Sequence, residues 1–171
     1  FASFGKPIIL STGMNTIDTI RPSVEIFRKA KVPFALLHCT NIYPTPPELV
    51  RLGAIQILKD AFPDAVVGLS DHTLGIGVSV AAIALGATVI EKHFTLNRAE
   101  GGVDSAFSME PHEFKSLVEE TERAFLSLGE VKYGILPDEL KSLTFKRSIY
   151  VVKDMKEGDV FTKDNIRIIR P

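Results

Sequence analysis

Four short apolar runs limit the fold of this chain more than any other feature: "PIIL" at 7–10, "PFALL" at 33–37, "AVVGL" at 65–69 and "TVIE" at 88–91. None alternates polar with apolar residues. A strand with one wet face alternates, whereas a strand covered on both faces reads as a continuous apolar run, as in buried parallel sheets. The stretches between the runs carry helical spacing. In "TIRPSVEIFRKA", Ile20, Val24 and Phe27 share one face, and in "ELVRLGAIQILKDAF", Leu52, Ile55, Leu58 and Phe62 recur at spacings of three, three and four. Residues 75–86, "GIGVSVAAIALG", are small and apolar all round, as in a helix packed closely on a sheet. "PHEFKSLVEETERAFLSLG" places Phe114, Leu117, Thr121, Ala124 and Leu128 on one face. Pro111 opens that segment and Gly129 closes it, the positions these residues favour.

Strand and helix thus alternate four times, with strands roughly 20–30 residues apart. The pattern predicts an α/β fold, either half of a (β/α)₈ barrel or most of a small doubly wound sheet. Beyond about residue 130 it changes. "LPDEL" is a short helical turn, and "RSIYVV" and "NIRIIR" are β segments connected through "KEGD". The expected organisation is a βα region over 1–130, a linker over 131–145 and the beginning of a small β-rich module over 146–171. A chain that starts on Phe1 and stops directly after a β segment is expected to be a piece of a longer one.

Composition narrows the function classes. Twenty basic side chains face 21 acidic ones with no Lys/Arg run, which argues against a nucleic-acid partner. The apolar stretch 76–90 is too short to span a membrane. A lone Cys39 forms no internal disulfide and fits a reducing compartment. The expectation is a soluble, cytoplasmic protein that binds neither nucleic acid nor membrane.

Each apolar run turns polar at its C-terminal end. The first yields Ser11, Thr12 and Gly13; the second His38, Cys39, Thr40 and Asn41, with Tyr43-Pro44 beyond; the third Ser70, Asp71, His72 and Thr73; the fourth Glu91, Lys92 and His93. In a parallel α/β protein these ends lie on one side, and in a barrel they ring one mouth. His72 and His93, at adjacent ends, can both approach one divalent metal and leave positions open for substrate oxygens, or be two hydrogen-bonded histidines of a packed edge. Ser11, Asn41 and Ser70 can hold a phosphate or carboxylate, or cap helices. Capping is the expected role of Thr16 and Thr73. Asp71 either orients a ligand or caps the Gly-rich helix. His38 and His112 read as ordinary polar histidines, Cys39 as a small buried apolar residue. "AEGGVDSAFS" at 99–108, with Asp104, is a loop placed to cover the mouth.

"STGM", "HCTNIYPTP", "GLSDHTLGI", "ALGATVIEKHFTL" and "FSMEP", in this order, closely resemble the sialic acid synthase family of phosphoenolpyruvate-dependent nonulosonate synthases. The tail "RSIYVVKDMKEGDVFTKDNIRIIRP" resembles the opening of the antifreeze-like (SAF) domain that follows the barrel in those enzymes. The resemblance implies the C-terminal half of a TIM barrel, the start of a SAF domain and a domain-swapped homodimer. It also implies condensation of phosphoenolpyruvate with the open-chain aldehyde of an N-acylated hexosamine such as N-acetylmannosamine. In that chemistry a manganese or magnesium ion polarises the aldehyde, and phosphate leaves by C–O cleavage. Carried onto these residues, His72 and His93 match the metal ligands, and Ser11, Asn41 and Ser70 the phosphoenolpyruvate contacts. Tyr43 and Asp104 match groups near the sugar, and Arg170 the position that reaches into the partner's site. His72, His93, Glu91 and Asp104 form the expected catalytic set.

The resemblance also sets limits. The barrel's first half lies outside this chain, so these residues alone are expected to be inactive and prone to associate through open sheet edges. "GGVDSAFS" is closer to the pseudaminic acid branch, whereas the longer block "HCTNIYPTPPELVRLGA" leans toward sialic and legionaminic acid synthases. The diacetylated hexoses of those branches are the alternative substrates. The alternative of another class is a carbohydrate-binding or assembly protein without catalysis.

Overall fold

In the computed structural model, which describes residues 1–170, each apolar run becomes a strand: β1 (Ile8–Ser11), β2 (Phe34–Cys39), β3 (Val66–Asp71) and β4 (Val89–Lys92). Each strand is followed by a helix: α1 (Ile17–Ala30), α2 (Ala54–Ala61), α3 (Gly77–Ala84) and α4 (Pro111–Leu128). The strands are parallel and pair in the order β1-β2-β3-β4. A doubly wound sheet reverses its strand order at a switch point, whereas a barrel wall advances one strand at a time in one direction. This order never reverses, so the sheet is a parallel α/β half-barrel.

The register shows which residues face the helices. Ile8, Leu10, Phe34, Leu36, Val67, Leu69 and Ile90 alternate along the strands, and all belong to one core. Against them pack Ile20, Val24 and Phe27 of α1, Ile55 and Leu58 of α2, and Ala82 of α3. The remaining positions face the other side of the sheet, the inner side of a barrel wall, because successive side chains of a strand point to opposite faces.

Local chemistry sets the helix ends. Thr16 caps α1, its hydroxyl accepting from the Thr19 N–H while the Thr19 hydroxyl accepts from the Thr16 N–H at 2.9 Å. Thr73 does not cap α3 as expected: the residue before that helix is Ile76, and the buried Thr73 hydroxyl has no hydrogen-bond partner. In α4, Pro111 occupies the first turn and Gly129 ends the helix, yet only Leu117 of the expected apolar face is fully buried.

Gly68 sits where β2, β3 and β4 meet on the inner face. A Cβ there would lie 2.3 Å from the Val89 carbonyl oxygen and 2.7 Å from Leu37 Cδ2. The first neighbour is backbone and cannot move without parting β3 from β4. Gly68→Ala is therefore expected to destabilise the fold by about 1–3 kcal/mol. A fall in the urea midpoint at unchanged slope would show it.

A second compact unit begins at Glu130. It contains a 3₁₀ stretch, Pro137–Phe145, and two antiparallel strands, β5 (Ser148–Val151) and β6 (Ile166–Ile169), with Ser148 opposite Ile169. No helix among the described residues is long and apolar enough to cross a membrane.

Candidate active site

Strand alternation divides the polar residues at the strand ends between two faces. On β3 and just beyond it, Ser70 and His72 take the inner face and Asp71 the helix side. On β4, Glu91 and His93 take the inner face and Lys92 the helix side. The contacts agree. The Ser70 hydroxyl donates to Glu91 Oε1 at 2.8 Å and lies 3.4 Å from His72 Nε2. Asp71 and Lys92 meet behind the sheet, Nζ to Oδ2 at 2.8 Å.

His72 is buried, and its Nδ1 lies 2.9 Å from the Thr40 carbonyl oxygen. A carbonyl only accepts, so Nδ1 carries a proton and Nε2 is the ring nitrogen turned to the site. The His72 and His93 rings stand edge to face, with centroids 5.2 Å apart. Tyr43 lies over both, at 4.2 Å from His72 and 5.8 Å from His93. Its loop is tied down by the buried Thr45, whose N–H donates to the His72 carbonyl at 2.9 Å. Burial, with Cys39, Asp104 and Glu91 nearby, pushes the Tyr43 phenol above its ordinary value, so it stays a hydrogen-bond donor at neutral pH.

The loop after β4 closes one side. Asp104 Oδ2 stands 3.7 Å from His93 Nδ1, and the Phe107 ring lies 5.1 Å from His93 and 5.9 Å from Tyr43. Arg98 anchors this loop to the start of α4, donating to the Ser108 carbonyl at 3.0 Å and to both carboxylate oxygens of Glu113. That pairing raises the Arg98 guanidinium and holds the Glu113 carboxyl below its ordinary value.

The expected site residues are thus unevenly gathered. Ser70, Glu91, His72, His93, Tyr43 and Asp104 form one contiguous set. Ser11 ends β1, and Asn41 follows β2, its amide oxygen 3.5 Å from Cys39 Sγ. Among the described residues neither hydrogen-bonds to the histidines. Arg170 follows β6 in the second unit and is exposed. His38 takes the helix side and reaches the Val50 carbonyl, as an ordinary polar histidine does. His112 is exposed. The Asp71 carboxylate bonds to neither histidine ring, and its contact with α3 is to the Ser79 side chain inside the helix.

Two residues at the site escaped the sequence reading. Cys39 is not an enclosed apolar residue; it pairs in register with Ser70 on the inner face and is only partly buried, and burial pushes its thiol up. Its place two residues before Asn41, on the same strand parity, is the clue that was available. Phe107 had none, because its approach to His93 depends on how the loop folds back.

The donor set suits a divalent ion. His72 Nε2 and His93 are imidazole donors on one face, and two imidazoles fill only part of a divalent ion's coordination, which leaves positions for outside oxygens as in an open Lewis-acid site. Among the described residues, Glu110, His112 and Glu113 also bring ligand atoms within 4.8 Å of one another. Their carboxylates, however, are engaged by Arg98. A cavity of about 610 Å³ opens beside the ends of β1 and β2, lined in part by Thr12, Asn15, Cys39, Asn41 and Arg51. His72 and His93 are not among its lining residues.

The NeuB family profile matches residues 1–133. The chain belongs to the NeuB family. Over 167 residues it is 42% identical to a pseudaminic acid synthase of Campylobacter jejuni (strain 81-176), which covers 97% of the chain and 48% of that protein. Over 174 residues it is 41% identical to the N,N'-diacetyllegionaminic acid synthase of Campylobacter jejuni (strain NCTC 11168), covering 99% and 52%. Among solved structures, the N-acetylneuraminic acid synthetase of Leptospira borgpetersenii in complex with citrate superposes with a TM-score of 0.76 at 41% identity. That match covers 83% of this NeuB-family chain and 50% of the other. The chain spans about half the length of the curated relatives it matches.

Proposed function

We propose that the whole protein containing this chain joins phosphoenolpyruvate to the open-chain aldehyde of an N-acylated hexosamine, giving a nine-carbon 2-keto acid and phosphate. The observation that carries this reading is the pair of histidine rings 5.2 Å apart at adjacent strand ends, with Tyr43 packed over them. A binding protein has no need of two imidazoles held this way. In the reaction, C3 of phosphoenolpyruvate bonds to the aldehyde carbon, water adds at C2, and phosphate leaves with its bridging oxygen.

His72 and His93 would hold a manganese or magnesium ion, which would supply Lewis-acid activation of the aldehyde. Ser11, Asn41 and Ser70 bind the phosphoenolpyruvate anion at the strand ends. Glu91 holds the single Ser70 proton at 2.8 Å, and that hydroxyl swings from Glu91 to the anion when phosphoenolpyruvate binds. Tyr43 and Asp104 hold the sugar hydroxyls. We place residues 131–145 as a linker and the β5–β6 unit as the opening of a SAF domain, whose Arg170 serves the partner protomer of a domain-swapped, cytoplasmic homodimer. Support for the condensation comes from the names of the relatives and the family. A diacetylated hexose is the alternative substrate, supported by relatives at 42% and 41% identity whose names are pseudaminic acid synthase and N,N'-diacetyllegionaminic acid synthase.

The test is phosphate release by the full-length protein with phosphoenolpyruvate and Mn²⁺, run in parallel with N-acetylmannosamine and the two diacetylated hexoses that lead to legionaminic and pseudaminic acids. One strong response confirms the reaction and picks the branch. Silence with all three, in folded and metal-loaded protein, favours the binding-protein alternative.

Gly13 provides a finer check. A Cβ at this position would lie 1.7 Å from Asn41 Oδ1, the end of a flexible side chain. Gly13→Ala is expected to leave the fold intact and push the Asn41 amide aside. Losing that charge-assisted hydrogen bond, worth about 1.5–3 kcal/mol, should raise KM for phosphoenolpyruvate by about tenfold or more. Steady-state kinetics with thermal unfolding as control reads this.

A further inference from the structure

The geometry points to a positioning device behind the site: the buried Lys92–Asp71 pair fixes the spacing of His72 and His93. Asp71 and Lys92 are register partners on β3 and β4, and each directly precedes one of the two histidines. Their side chains are 0% and 2% exposed on the face opposite the site. Asp71 Oδ2 accepts from Lys92 Nζ at 2.8 Å and from the Ser79 hydroxyl at 2.6 Å. Asp71 Oδ1 accepts from the Thr73 N–H at 2.8 Å, and Lys92 Nζ also donates to the Thr73 carbonyl at 2.7 Å.

The pair therefore holds both backbone polar groups of Thr73, the residue after His72, from the strand that carries His93. His72 is bracketed by two fixed positions, and one of the ties comes from the residue next to His93. Stability alone does not account for two buried charges here, because a well-packed apolar pair of similar volume is often as stable or more so. What charge adds is direction: the two bonds from Lys92 Nζ cross from β4 to the end of β3, and the two to Asp71 from Thr73 and Ser79 fix the carboxylate that receives one of them. The inference rests on the reading that the two histidines bind one divalent metal. Asp71 and Lys92 act on that metal only through the backbone.

The experiment measures Mn²⁺ alone, by titration and by the electron paramagnetic resonance line shape, in the full-length protein. The neutralised double variant Asp71→Asn/Lys92→Met is compared with Ser79→Ala, His93→Ala and wild type, with thermal unfolding recorded for each. The double variant is expected to fold, to bind Mn²⁺ about tenfold or more weakly, as loss of groups that orient metal ligands typically does, and to broaden the Mn²⁺ spectrum. Ser79→Ala, which trims one bond and keeps both charges, is expected to weaken binding about two- to threefold and carries the test should the double variant not fold. Unchanged affinity and line shape in a folded double variant, or in Ser79→Ala should the double not fold, overturn the inference while His93→Ala still loses the metal. Mn²⁺ binding that His93→Ala leaves intact overturns the metal reading itself, and this inference with it.

Discussion

Replacing His93 with alanine is expected to abolish turnover of the full-length protein and weaken Mn²⁺ binding by at least about a hundredfold, the upper end of what even supporting residues around a metal cost. The unfolding temperature should move by only a few degrees. His93 follows the last residue of β4 and lies partly exposed; its carbonyl, which alanine keeps, accepts from the Met109 N–H, and its side chain faces the rings of His72, Tyr43 and Phe107. Alanine thus removes a donor without opening the core. His72 is the less clean position, because its Nδ1–H satisfies the Thr40 carbonyl and its removal adds a stability cost of about 1–3 kcal/mol. Titration by electron paramagnetic resonance, with calorimetry as control, separates the two effects. Loss of folding in His93→Ala would mean that this histidine is a packing residue.

The largest loss of stability is expected from Lys92→Met alone, about 3–5 kcal/mol in urea unfolding. Burial pushes the Asp71 carboxyl up, and bonds from Lys92 and Ser79, with the Lys92 charge and the Thr73 N–H, bring it below its ordinary value. Methionine fills the space of the lysine stem but leaves that carboxylate enclosed with no cation. Adding Asp71→Asn removes the stranded charge, so the double variant should recover most of the loss. A double variant no more stable than the single would show that the penalty comes from packing around residue 92 instead.

Much of the half-barrel was legible. The four apolar runs lie within two residues of the observed strands, because strands buried on one side by helices and on the other by barrel neighbours need unbroken apolar sequence. Ile20, Val24, Phe27, Ile55 and Leu58 face the core as their spacing required. The choice between barrel wall and doubly wound sheet was not legible from spacing, since both use the same βα unit and differ only in which strands pair. At the site, the histidines at successive strand ends were visible as a pattern. The division of Asp71 and Lys92 from their neighbours was missed because adjacent polar letters were grouped as one cluster without applying strand alternation. Thr73 misled for a related reason: a threonine ahead of a helix is a good cap only when it immediately precedes the first turn, and here three residues intervene before Gly77.

That alternation has a consequence for how this chain tolerates change. From Ser70 to His72 and from Glu91 to His93, neighbouring letters answer to different demands, one set by chemistry and the next by folding. Inserting or deleting one residue in either segment would trade the two sets wholesale, sending charges into the ligand space and imidazoles into the core. Substitutions across these six positions should accordingly sort into a two-beat rhythm, with loss of activity and loss of folding taking turns along the chain.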